Sequence, residues 1–162
     1  MTRFLAFLLG VAGAVGASQA PGFTLQYMQN LNARIDELRP LVEKFDADVE
    51  RFGYTRDEAM AECRESTGLL NALCDNYRST VVRYEELSAH YAELTAVSDY
   101  MQPVTLAKTH KQDIVESVME EFKPAVPSTM TGAAYAGGGF VVVWLLASLL
   151  FAIITAPFRR RD

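Results

Sequence analysis

Cys63 and Cys74 are the only two cysteines, and their spacing limits what they can do. On one continuous helix their backbones would lie roughly 16 Å apart, whereas a disulfide tolerates at most about 7 Å. A turn at Ser66-Thr67-Gly68 would bring them together as a disulfide; the alternative is two buried free thiols. In either case the role is structural, because no CxxC spacing or activating neighbour marks a nucleophile or a zinc ligand. His90 and His110 are the only histidines, twenty positions apart and in no ligand spacing, and are expected on exposed helix faces. Asp46-Ala-Asp48-Val-Glu50 superficially resembles the start of a calcium loop. Arg51 stands where that loop requires glycine, and a helical apolar pattern runs through the segment, so the calcium reading is rejected.

Gly137-Gly138-Gly139 lies inside an apolar run with no Lys-Ser/Thr pair after it, so it is no phosphate loop. Glu85-Glu86 and Glu120-Glu121 read as solvated helix faces, since sequence neighbours on a helix do not converge on one atom. Tyr77, Tyr84 and Tyr91 recur every seven residues and share one helix side. They could form a partner-binding stripe together with Phe45, but interleaved Leu73, Leu87 and Leu94 favour a bundle-lining role. No Ser-His-Asp set, acid–base pair or cofactor motif emerges. The expectation is a protein that is not an enzyme, without cofactor or metal.

What positions these residues is a chain of 162 residues, 50% hydrophobic and 22% charged, with net charge −5. Fifteen Lys and Arg against twenty Asp and Glu exclude a basic nucleic-acid surface. The apolar residues are concentrated at the two ends. Phe4 to Ala20 contains no charge, and seventeen helical residues span roughly 26 Å, close to the hydrocarbon thickness of about 30 Å. A second uncharged run of 35 residues separates Lys123 from Arg159, with a membrane-length core over 133–158. The first run also fits a cleaved signal peptide ending at Val15-Gly16-Ala17 or Ser18-Gln19-Ala20. Pro21 spoils the second of these sites, and a retained anchor is the preferred reading.

Arg3, Arg159, Arg160 and Arg161 against Asp162 make the ends positive. Residues 21–123 keep eleven Lys and Arg against nineteen Asp and Glu. Positive flanks stay cytoplasmic. The expected topology is therefore both termini inside, two spans, and an acidic domain over 21–123 on the far side, where an oxidising compartment would favour the disulfide. Small residues crowd the outer half of both spans: Ala6, Gly10 and Ala14 with Gly13 and Ala17 in the first, and Ala133 and Gly137 with Ala134 and Gly138 in the second. Such ladders let helices approach closely. The antiparallel spans should meet at the outer side and splay inward; lipid or a partner's helix is the alternative occupant of that face.

The middle reads as helical. Pro21 suits a first helical turn, after which Met28, Leu31, Ile35, Leu38, Val42, Phe45, Val49 and Phe52 recur in alternating steps of three and four. Pro40 should kink this helix and Gly53 should end it. Thr55-Arg-Asp-Glu58 reads as a capping box opening a short helix. A second seam follows through Leu70, Leu73, Tyr77, Thr80, Tyr84, Leu87, Tyr91, Leu94, Ser98 and Met101. Pro103 marks a break, Ile114, Val115, Val118, Met119 and Phe122 form the face of a last amphipathic helix, and residues 124–132 form a proline-containing linker. The fold class is all-α: two transmembrane helices, 4–20 and 133–158, flank an extramembrane helical bundle or coiled-coil-like domain. A basic tail, 159–162, follows.

The first span running into Ala17-Ser18-Gln19-Ala20-Pro21-Gly22-Phe23, then Gln26-Tyr27-Met28-Gln29-Asn30-Leu31 and Asp36-Glu37-Leu38, resembles a family of small bacterial membrane proteins of unknown function. Phe122-Lys123-Pro124-Ala125-Val126-Pro127-Ser128-Thr129 is similar to that family's second signature. The resemblance covers most of the chain. It implies a bacterial inner-membrane protein with two spans and a periplasmic helical loop, and it implies no activity.

The function these observations lead us to expect is a non-enzymatic accessory or scaffolding subunit of an inner-membrane assembly, partnered by integral membrane proteins or by its own copies, in contact with the lipid bilayer and not with nucleic acid. The alternative is an envelope sensor coupling the outer domain to the arginine tail, or a self-assembling envelope protein.

Overall fold

The computed structural model describes residues 2–124, 126 and 128–159. Ala125 and Pro127 of the expected linker, and tail residues 160–162, lie outside the described residues. All regular structure among the described residues is helical: α1 Thr2–Arg51, α2 Arg56–Glu65, α3 Leu69–Thr95, α4 Gln102–Thr109, α5 Gln112–Glu121 and α6 Met130–Arg159. The chain divides into two compact units, one formed by residues 1–27 and 97–162, the other by residues 28–96.

The second unit is built from the latter part of α1 with α2 and α3. The predicted seams supply part of its interior, for Leu31, Ile35 and Val42 of α1 and Leu87 and Leu94 of α3 are buried, joined by Val81, which the seam did not include. Each such side chain contributes about 1.5–3 kcal/mol by leaving water. Val42, Met60 and Val81 form one cluster against which Phe45, Tyr77 and Tyr84 pack. Gly53 ends α1 with φ +83°, a left-handed conformation open to glycine. There the Tyr54 N–H donates to the Val49 carbonyl (3.2 Å) and the Gly53 N–H to that of Glu50 (2.9 Å), which satisfies the last helical carbonyls as a Schellman motif does. The capping box is present at Thr55: Glu58 accepts from the Thr55 backbone N–H (2.7 Å), while the Thr55 hydroxyl accepts from the Glu58 N–H (3.3 Å). Gly68, φ +66°, turns the chain into α3.

The first unit combines residues 2–27 of α1 with α4, α5 and α6. The stretch at the start of α1 and the run 130–155 of α6 are long and apolar enough to cross a membrane, and most of their large side chains, among them Phe4, Leu8, Leu146, Leu149 and Ile153, face outward. A water-soluble domain would bury such residues; here the bilayer is their solvent. The short α4–α5 segment is tied to this unit at three points. Tyr135 donates its hydroxyl to the Tyr100 carbonyl (2.7 Å), the Lys111 N–H donates to the Tyr27 hydroxyl (2.9 Å), and the rings of Phe23 and Phe122 meet edge to face at 5.5 Å.

One expectation about proline is corrected. Pro21 opens no helix: α1 continues through it, and through Pro40, for 50 residues. Pro40 is exposed and Pro21 half-buried, so the carbonyls that lose their N–H partners lie where water or lipid headgroups reach them. Pro103 does more than break a helix, because it sits in the first turn of α4, where its missing N–H costs nothing.

Candidate functional site

Cys63, near the end of α2, and Cys74, in the second turn of α3, are joined as a disulfide with Cα atoms 5.6 Å apart. The turn at Gly68 makes this possible, as the spacing requires. The bond closes one end of the second unit, and beside it lies a groove of about 440 Å³ whose walls include Phe45, Val49, Phe52, Tyr54 and Leu70. Next to the groove, large apolar side chains are left in the open: Phe52 is 78% exposed, Leu69 77%, Leu70 59% and Leu73 57%. These side chains form an exposed apolar cluster beside the disulfide. Asp48 and Glu62 also line the groove, and Glu62 accepts the Tyr54 hydroxyl and raises its pKa. An apolar centre with a polar rim is the ordinary anatomy of a protein interface.

The platform under this surface is held by charge as well as packing. Arg56, the first residue of α2, donates through Nε to Asp46 of α1 (2.7 Å), engages the same carboxylate through a second nitrogen, and reaches Glu85 of α3 (3.2 Å). The hydrogen bond to Asp46 is the main reason its guanidinium pKa is raised further. One planar fork thus ties three helices together. Nothing in the spacing of residues 46, 56 and 85 announces this; the arginine would have been found only by noting that α2 is short and must be fastened.

Several expected site residues take other positions. Phe45 and Tyr77 stack on each other, ring centroids 3.5 Å apart, and with Tyr84 they cover the buried cluster. The Tyr77 hydroxyl donates to the Val42 carbonyl (3.4 Å), and burial, followed by the charge of Asp46, pushes its pKa up to about 12. Tyr91 is half-buried. These aromatics line the bundle, while Leu70, Leu73 and Phe52 of the same seams face out. His90 corrects the expectation of exposure: it is buried, with Nδ1 3.7 Å from Glu93, while His110 is exposed. Asp46, Asp48 and Glu50 lie within helix α1, and no group of metal-ligating side chains occurs among the described residues.

The spans meet through Gly10, Gly13 and Ala17 of the first run and Gly139 of the second, one position beyond Gly138. A Cβ added to Gly139 would lie 2.5 Å from the Ala17 Cβ and 2.6 Å from the Gly13 carbonyl oxygen. One added to Gly13 would lie 2.5 Å from Val143, and one added to Gly10 2.9 Å from Phe140. Ala14 is half-buried and Ala134 exposed. Gly137 and Gly138 face open space, which corrects their assignment to the contact. Towards the Arg3 end the helices border a cleft of about 530 Å³ lined by Ala6, Trp144 and Ser148 among others, and Ala6 and Ala147 are buried there.

No curated protein matches the chain. No solved structure matches it either. A family model described as a protein of unknown function, DUF2937, does match, over residues 1–160, and two membrane-length helices flanking a helical core agree with the resemblance carried by the sequence signatures; the chain belongs to the DUF2937 family.

Proposed function

We propose that the protein is a non-enzymatic accessory or scaffolding subunit of a bacterial inner-membrane assembly, with its outer helical unit as the docking element. The observation that carries this reading is the exposed apolar cluster of Phe52, Leu69, Leu70 and Leu73 beside the disulfide-closed groove. A surface of this type outside the bilayer favours a protein partner. The positive flanks at Arg3 and Arg159 support cytoplasmic termini, and the Cys63–Cys74 bond supports an oxidising periplasm around residues 28–96.

The test is native purification in mild detergent, followed by mass spectrometry of the wild type and of the double variant Leu70→Asp/Leu73→Asp. The expected result is a partner at near-equal amounts that the variant loses while keeping its melting temperature. A lone homo-oligomer would replace this reading with self-assembly. A partner retained by the variant would move the interface elsewhere.

A further inference from the structure

A second groove, in the first unit, has a different character. About 580 Å³ in volume, it lies between α1 and the α4–α5 segment, with Gly16, Ala20, Phe23, Leu106, Met119 and Phe122 among its walls. That size falls within the range of sites for small organic molecules, about 300–1,000 Å³. Two polar residues on its wall have their donors occupied. Thr24 donates its hydroxyl to the Ala20 carbonyl (2.8 Å), and the Gln19 amide donates to the Ser18 hydroxyl (3.1 Å). The groove therefore offers an apolar occupant a surface with little to satisfy.

Its position points to the occupant. Gly16, Gln19 and Ala20 belong to the last turns of the first apolar run, so the groove borders the end of a membrane-length segment. Exposed Met101, Val104 and Met119 extend the apolar surface along the same segment. Charge completes the pattern. Lys108 and Lys111 flank the lining residue His110 in sequence, and Lys123 follows the lining residue Phe122, so three of the four lysines of an acidic chain lie within two positions of a lining residue. Lysines on apolar stems at a membrane interface are suited to lipid phosphate.

We propose that this groove holds one acyl chain of an anionic phospholipid from the leaflet at the outer ends of the spans, with the phosphate beside Lys108, His110 and Lys123. The inference rests on the membrane reading of α1 and α6 and is independent of any protein partner.

The experiment uses the full chain in vesicles of phosphatidylglycerol or of phosphatidylcholine, each doped with a phospholipid carrying a photoreactive acyl chain, with labelled peptides identified by mass spectrometry. Labelling is expected to concentrate on the peptides containing Leu106, Met119 and Phe122, and to be stronger in phosphatidylglycerol. A Cβ on Gly16 would meet nothing within 4 Å, so Gly16→Trp should fill the groove without disturbing the fold and cut that labelling by about tenfold. Gly137→Trp, also facing open space, should leave it unchanged. Lys108→Glu with Lys123→Glu should abolish the preference for phosphatidylglycerol while the melting temperature holds. Labelling spread evenly along both spans and indifferent to Gly16→Trp would overturn the site. Equal groove labelling from both lipids would overturn the phosphate assignment, and cross-linked dimers through the groove would replace lipid with a second copy of the chain.

Discussion

The backbone N–H of Lys111 donates to the hydroxyl of Tyr27 across 84 residues of sequence, at 2.9 Å, and the Tyr27 side chain is wholly buried. Lys111 is the N-cap residue of α5, so a phenol from α1 fixes where the last amphipathic helix begins. Tyr27→Phe keeps the ring and leaves that amide without its acceptor. The cost should be about 1–2 kcal/mol. Hydrogen exchange in the first turn of α5 should accelerate correspondingly, while exchange in α3 stays unchanged.

The Arg56 fork makes a prediction about geometry. Arg56 and Asp46 are each about one-third exposed, so solvent screening reduces what the charges contribute. Arg56→Ala should cost about 1 kcal/mol, read as a lower denaturation midpoint of the second unit. Arg56→Lys should recover little of it, because an ammonium cannot bridge Asp46 and Glu85 with a planar fork.

Two ionisable groups set opposite pH limits on the second unit. Glu58 has its pKa lowered, first by the Thr55 backbone N–H and then by the Thr55 hydroxyl. Its contribution is therefore present above its ordinary value of 4.5 and is lost as pH falls through the depressed value. The start of α2 should fray in acid, and Glu58→Gln should show faster α2 exchange already at neutral pH. Tyr77 is shifted the other way. With its pKa raised from 10.0 to about 12, it favours the folded state below pH 10, and that contribution declines as pH rises through about 12. Phenolate absorbance should show a late-titrating component that shrinks in Tyr77→Phe.

The span contact separates glycines that look alike in sequence. Gly139→Leu puts a side chain against the Gly13 carbonyl and Ala17 and should weaken span association by about 1–3 kcal/mol. Gly137→Leu and Gly138→Leu face open space and should have little effect. Oxidative cross-linking of cysteines placed at Ala6 and Ala147, introduced with Cys63 and Cys74 replaced by serine, would measure this.

The disulfide closes a short loop, and Cys63→Ser with Cys74→Ser should lower the stability of the second unit by about 2–4 kcal/mol. The full-length protein melted with and without reductant should reproduce that difference in the wild type and show none in the variant.

Local chemistry was the legible part of this sequence. Thr55 and Glu58 announce their capping box because both partners lie within one turn, and Gly53 announces a stop because few other residues tolerate its conformation. The alternation through Leu31, Ile35 and Val42 identifies a buried face. The same seam pattern could not say that Leu70 and Leu73 are exposed while His90 is buried. A heptad states which residues share a side, and only tertiary packing states how far along the helix that side is covered. Pro21 misled for a related reason: the cost of proline depends on whether the freed carbonyl is sealed in, and that is not local. Gly139 was missed beside Gly137 and Gly138 because the rotation of α6 against α1 selects one glycine of three, and an unbroken triplet carries no phase.

The first unit is assembled from segments far apart in the chain, whereas residues 28–96 are contiguous. On a ribosome adding about 5–20 residues per second, the contiguous unit has all its parts long before α6 emerges. The glycine face of the first span therefore waits in the bilayer without its mate, exposed to any insertion factor or neighbouring span that presents a small-residue surface. Biogenesis, more than the finished molecule, is where Gly13 and Ala17 are at greatest risk of pairing with the wrong helix.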